Sequence, residues 1–168
     1  MKTISYHVNR KAVTGKLKTL DELITIATQA RTAGKIVVFT NGCFDLLHRG
    51  HVHLLREAKA AGDLLIVAVN SDRSVKAIKG LTRPVTSETD RIELIAATEM
   101  VDYAILFDEP DPYSLIAAIK PSVLAKGGDW SADKIIGAEI VEREGGRVVV
   151  IPYIKGYSTT EIIERMRK

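Results

Sequence analysis

The sequence predicts a doubly wound α/β domain, a five-stranded parallel sheet with helices on both faces. Two observations carry this expectation. Short runs rich in β-branched residues alternate with stretches of helical spacing, the order produced when each strand crosses through a helix to a parallel neighbour. The runs themselves are almost wholly apolar, as strands covered on both faces must be.

Taken in order, Thr19, Leu20, Asp21 and Glu22 form a capping box ahead of Leu23, Ile24 and Ala27, and Gly34 stands where a helix should stop. A helix is expected over 20–33. Residues 35–40 (KIVVFT) read as the first strand, and after a loop HVHLLREAKAA resumes helical spacing up to Gly62. LLIVAVN at 64–70 is the second strand, followed by a short helix over 73–79, a Gly/Thr/Pro loop at 80–86 and a capped helix from about Ser87. VDYAILF at 101–107 is the third strand, Asp111-Pro112 opens a helix with proline at its first position, and SVLAK at 122–126 is the fourth strand. A helix is expected over 133–144, then a fifth strand, RVVVIPY, at 147–153. Ser158 to Glu161 make a second capping box for a last helix with a basic final turn. Residues 1–18 are polar and expected as a loose arm, so 1–34 reads as arm plus helix and 35–168 as the domain proper, one domain overall.

Bulk properties narrow the function classes. At 168 residues, 46% apolar and 27% charged, the chain can bury a core without disulfides. Cys43 is the single cysteine, the N-terminus has no apolar signal core, and charged residues interrupt every hydrophobic stretch. A reducing cytoplasm is expected, with no membrane partner. The net charge of +3 is spread along the chain, which favours small anions over nucleic acid as ligands.

Ligands of open parallel sheets bind beyond the carboxyl ends of the strands, and the chemistry-bearing residues fall there. Strand one is followed by Asn41-Gly42-Cys43-Phe44-Asp45 and His48-Arg49-Gly50-His51, strand two by Asn70-Ser71-Asp72, strand four by Lys126-Gly127-Gly128-Asp129-Trp130, and strand five by Lys155 to Thr160. Glycines admit backbone N–H groups to oxygens, helix starts favour negative charge, and ammonium groups neutralise what remains, a mixture suited to polyphosphate. His48 and His51, flanking Gly50 at a helix entrance, can share one anion; spacing alone equally allows solvated histidines, or a zinc site with His53. Lys76, Lys79 and Arg83 can close over phosphates or form a solvated loop, and Arg91 on the next helix reads the same way. Asp129 and Trp130 suit a ribose hydroxyl and a base, or a tight turn. Ser158, Thr159 and Thr160 suit both a helix cap and a phosphate cradle. There is no GxxxxGK[ST] and no GxGxxG, which disfavours a P-loop ATPase or a dehydrogenase.

In this order and at these strand ends, GCFDLLHRGH, KGGDW and GYSTTEII resemble the HxGH nucleotidyltransferase superfamily, in its cytidylyltransferase-like branch, over residues 35–168. With NSDRSV, VDYAILFDE and IIGAEIV added, the chain resembles the heptose 1-phosphate adenylyltransferases, or ADP-heptose synthases. That resemblance implies a Rossmann-like fold and the joining of ATP to D-glycero-β-D-manno-heptose 1-phosphate, giving ADP-heptose and pyrophosphate for the lipopolysaccharide core. It implies Mg²⁺ held mainly by phosphates, with no protein side-chain metal ligands, and a homo-oligomer. It makes His48, His51 and Lys79 catalytic, and Asn41, Gly42, Cys43, Phe44, Gly50, Lys126, Asp129, Trp130, Ser158, Thr159 and Thr160 nucleotide contacts. Asp45, Asn70 and Arg83 are the candidate sugar-phosphate contacts. In two-domain relatives a sugar kinase precedes this domain; here the chain begins too close to the first strand to hold one, so a separate kinase is expected. The Arg-Thr-Glu-Gly-Ile-Ser-Thr stretch of glycerol-phosphate cytidylyltransferases reads Tyr153-Ile154-Lys155-Gly156-Tyr157-Ser158-Thr159 here, and the missing arginine favours the heptose branch. Cytidylyl or adenylyl transfer to another sugar or polyol phosphate, and a non-catalytic nucleotide-binding module, are the alternatives.

Overall fold

A computed structural model describes residues 15–128, 131 and 134–166. The expected arm, Asp129 and Trp130 therefore lie largely or wholly outside the described residues. Five parallel strands form the sheet: β1 (Val37–Gly42), β2 (Leu64–Asn70), β3 (Tyr103–Phe107), β4 (Val123–Gly127) and β5 (Arg147–Ile151), in the order β3-β2-β1-β4-β5. The helices are α1 (Leu20–Thr32), α2 (Arg49–Ala60), α3 (Asp72–Lys79), α4 (Glu88–Ala97), α5 (Tyr113–Ile119), α6 (Ala138–Arg143) and α7 (Thr159–Met166).

Because neighbouring residues of a strand point to opposite faces, β1 feeds two cores. Val37 and Phe39 pack with Leu23 and Ala27 of α1, Leu115, Ile116 and Ile119 of α5, and Ile140 of α6. Val38 packs on the other face with Leu55 and Ala58 of α2 and Ile92, Ile95 and Ala96 of α4. The N-terminal helix thus belongs to the domain's own core. Arg31 fastens it further, donating to the Ile119 and Lys120 carbonyls at 2.7 and 2.8 Å, where a cation complements the end of a helix.

Where boundaries differ from the sequence expectation, the backbone says why. β1 begins two residues late because Lys35 N–H closes the end of α1 on Ala30 O and Ile36 N–H donates to the Asp63 carboxylate. It also runs two residues further, Asn41 and Gly42 pairing with Ala68 and Val69. β5 stops at Ile151, since Pro152 has no N–H for the ladder. The helix expected over 133–144 covers only Ala138–Arg143, preceded by Gly137 at φ 86°, a left-handed break. Pro112 is the N-cap and not the first helical residue; Asp111 accepts the Tyr113 N–H at 2.9 Å.

Gly62 marks a close approach: a Cβ there would lie 2.6 Å from Val38 Cγ2 and 2.8 Å from the Ile36 carbonyl. Gly62→Ala is expected to lose about 1–3 kcal/mol of stability through overpacking, measured by urea unfolding, with the carboxyl end of the sheet left intact.

Candidate active site

The strand order reverses between β1 and β4, and the crevice outside the carboxyl ends of strands at such a point is where a parallel sheet takes a ligand. Asn41 of β1 and Lys126 of β4 meet there, the ammonium donating to Asn41 Oδ1 at 3.0 Å. Burial holds the Lys126 pKa below its ordinary value.

Past β1 the chain turns sharply. Phe44 and Leu46 have φ of 49° and 52°, a left-handed region costing an L-residue roughly 1–2 kcal/mol. Asp45 between them is 1% exposed, and its carboxylate accepts Arg83 Nε at 2.6 Å, the Val85 N–H at 3.0 Å, and the Thr86 N–H and Oγ1 at 3.1 Å. Burial is the largest influence on that carboxyl and pushes its pKa up; the Val85 and Thr86 N–H groups and Arg83 together overcome it and hold the pKa below the usual value. Asp45 and Arg83, expected on the sugar phosphate, are thus bound to each other. A Cβ on Gly42 would sit 3.2 Å from the Phe44 ring, so glycine lets that ring fold under the turn.

His48 is the N-cap of α2 and His51 its third residue, and they cap the helix reciprocally. His48 Nδ1 accepts the Gly50 N–H at 3.1 Å, and His51 Nδ1 accepts the His48 N–H at 3.4 Å. A ring nitrogen that accepts cannot carry the proton, so each neutral imidazole bears its hydrogen on Nε2. The rings stack with centroids 3.8 Å apart, and Phe44 lies 5.2 Å from His51. Burial first, then His48, lowers the His51 pKa to about 3, against the opposing pull of Asp45. Burial also lowers His48, opposed by Glu161. At neutral pH the pair therefore offers two directed N–H donors and no charge.

The last helix closes the other side. Ser158 Oγ accepts the Glu161 N–H at 3.2 Å and donates to its carboxylate at 2.9 Å, the expected cap. Thr159 Oγ1 donates to the Asp45 carbonyl at 2.6 Å, joining the start of α7 to the turn after β1. Gly50 is required at this junction, since a Cβ would meet the His48 ring at 2.9 Å and the Tyr157 carbonyl at 3.0 Å. Thr160 lies in the first turn of α7, where open backbone N–H groups and the helix dipole favour an anion. Lys79 ends α3; burial raises the Cys43 thiol pKa, and among the charges opposing that rise the Lys79 ammonium is strongest, ahead of Arg91 and Arg83. The imidazoles and the hydroxyl-bearing start of α7 therefore meet at the turn after β1, with Lys126 on the neighbouring strand. Asn70 faces elsewhere, buried at the end of β2 with Nδ2 on Ser74 Oγ at 2.9 Å. Among the described residues no three His, Cys, Asp or Glu side chains are grouped to hold a metal ion, and no helix is long and apolar enough to cross a membrane.

Residues 39–165 match the family model for cytidylyltransferase-like proteins. The chain belongs to the cytidylyltransferase-like family. It is similar to a bifunctional protein HldE from Geotalea uraniireducens, 49% identical over 90% of this chain, and to one from Geobacter sulfurreducens, 47% identical over 91%. The chain spans 31% of the length of each. Among solved structures it is similar to a lipopolysaccharide core biosynthesis protein from Thermoplasma volcanium, with a TM-score of 0.58, 35% identity, and coverage of 74% of this chain and all (100%) of that one. Pantoate-β-alanine ligase from Francisella tularensis, solved with β-γ ATP and β-alanine, has a TM-score of 0.59 over 90% of this chain and 76% of its own at 16% identity, a likeness of fold alone.

Motif reading leaves one residue beside this turn with two readings. Arg91, expected either to close over phosphates or to be a solvated charge, is 1% exposed and reaches the turn after β1. The available signal was its place four residues before Ile95, on the buried stripe of α4.

The depressed imidazoles have a measurable consequence. The folded state refuses a proton that the unfolded chain takes up below its ordinary value of 6.5, so stability is full above that pH and falls as pH drops toward 3. Asp45 contributes separately, only as pH falls below 3.8. Urea unfolding from pH ~7.5 to ~5 should show a steady loss that His51→Gln flattens; an equal slope in the variant contradicts the buried neutral imidazole.

Proposed function

We propose that this chain is an adenylyltransferase that joins ATP and D-glycero-β-D-manno-heptose 1-phosphate, releasing pyrophosphate and forming ADP-heptose. The observation that carries the reading is the convergence of His48 and His51 with the start of α7, through Gly50 against Tyr157 and Thr159 on Asp45. The heptose acceptor is supported by the motif resemblance and by the similarity to the HldE proteins and to the Thermoplasma lipopolysaccharide core biosynthesis protein.

An oxygen of the sugar phosphate attacks the α-phosphorus in line, forming the new P–O bond as the bond to pyrophosphate breaks, with no covalent enzyme intermediate. A phosphomonoester has its second pKa near ~6, so the nucleophile is already largely dianionic and no general base is needed. The barrier is repulsion between anions and charge growing on the leaving group, which positioned donors relieve. The Nε2–H groups of His48 and His51 fill that role by direction, Lys79 by charge, and the α7 start by its open N–H groups. Lys126, Asn41 and the Gly42–Phe44 backbone line the nucleotide side, and the motif resemblance assigns Asp129 and Trp130 to the nucleoside. Mg²⁺ carried by the triphosphate oxygens would supply further neutralisation of the leaving pyrophosphate, which fits a site whose buried Asp45 is already committed to Arg83. The same reading places the protein in the cytoplasm as a homo-oligomer.

Pyrophosphate release across ATP and CTP, each with heptose 1-phosphate, other sugar 1-phosphates and glycerol phosphate, tests this. ATP with the heptose phosphate should exceed every other pairing; faster turnover of CTP with a polyol phosphate, or nucleotide binding without release on any acceptor, overturns it. His51→Ala should remain folded and lose about 10²–10³ in kcat, the cost of removing one preorganised donor.

A further inference from the structure

We propose that Arg91 is a positioning residue of this reaction, holding the 42–46 turn so that the Phe44 N–H and the His51 ring face the triphosphate. The inference rests on the adenylyl-transfer reading above.

Arg91 lies on the buried face of α4 between Ile92, Ile95 and Ala96, where an aliphatic residue would pack at no electrostatic cost. A guanidinium there must offset a large desolvation cost, so its bonds have to be good. Each of its three nitrogens has an acceptor on a different segment: Nε on the Thr86 carbonyl at 3.1 Å, one terminal nitrogen on the Cys43 carbonyl, and the other on Asp72 Oδ1 at 2.9 Å. The Cys43 carbonyl belongs to the peptide that enters Phe44, whose φ is 49°. In a trans peptide the C=O and N–H point opposite ways. With the carbonyl taken inward by Arg91, the Phe44 N–H is turned away from the core, toward the crevice.

The same guanidinium grips the turn a second time. Thr86, held by Arg91 at its carbonyl, gives both its N–H and its hydroxyl to Asp45. Cys43 and Asp45, on either side of left-handed Phe44, are thus tied to one side chain, and the Phe44 ring packs 5.2 Å from His51. Lysine keeps the charge but presents a single nitrogen, which cannot serve three divergent acceptors.

Arg91→Lys, with Arg91→Met beside it, tests the assignment. Both should lower kcat by about 10²-fold, the scale of an ångström-sized misplacement, with KM for ATP changed far less and lysine no better than methionine. On a His51→Ala background the same change should cost less, because the ring that Arg91 places is gone and only the Phe44 N–H remains to be misplaced. Nitrogen-15 spectra of the His51 ring give a readout free of activity: wild type holds the Nε2–H tautomer, and the Arg91 variants mix the two. If wild type transfers to no acceptor, the adenylyl-transfer reading fails while the ring spectra still decide what Arg91 does. If Arg91→Lys does not fold, Asp72→Ala, which frees one arm of the fork, must shift the same ring signals. Wild-type kcat in a folded Arg91→Lys, an equal loss on the His51→Ala background, or unchanged ring spectra each overturns the proposal.

Discussion

The two hydrogen bonds by which His48 and His51 cap α2 govern what the site can offer a ligand. They occupy Nδ1 on both rings and leave Nε2–H as the outward donor, while burial keeps the rings uncharged. Direction therefore comes from the imidazoles, and on the proposed reading net charge comes from elsewhere: Lys79, Lys126 and the dipole of α7. Everything nearby is arranged around that pair. Gly50 leaves room for the Tyr157 carbonyl beside the His48 ring, and Phe44 supports the His51 ring from the turn.

Charge in this region divides into two classes. Asp45 with Arg83 and Asp72 with Arg91 are partly or wholly buried pairs that neutralise themselves and fix backbone. Separating either strands a charge in a poor solvent, a loss of about 3–5 kcal/mol for a buried pair. The loop after α3 is accordingly anchored from Arg83 to Thr86, and any movement over a ligand is confined to its earlier part, where Leu81 is 90% exposed. The basic segment, read from the sequence either as a cover over phosphates or as a solvated loop, is thus anchored at its Arg83 to Thr86 end.

The sheet was readable because its signal is local. β2 lies at 64–70 as expected, since an uninterrupted apolar run flanked by turn residues has few other solutions. Strand ends were less so, because Lys35, Ile36 and Pro152 are governed by capping and by a missing donor, not by hydrophobicity. The crevice could be placed from topology and the residues after each strand, and the histidines from the motif resemblance, since their spacing left several readings open. What their ring nitrogens do could not, because tautomer and ring stacking depend on backbone donors within ångströms. Asp45 misled for a related reason: a carboxylate beside a glycine-rich turn resembles a ligand contact, and only the 83–86 segment, some forty residues away, reveals its partners. Arg91 was left between a phosphate contact and a solvated charge, because its charge was weighed before the side of the helix it occupies.

The bond from Thr159 to the Asp45 carbonyl spans 114 residues of chain. Although the sheet and both of its cores can assemble as soon as β5 is made, the crevice lacks one wall until α7 arrives. Truncation before Thr159 would remove this bond while leaving the five strands and the residues of both cores in place.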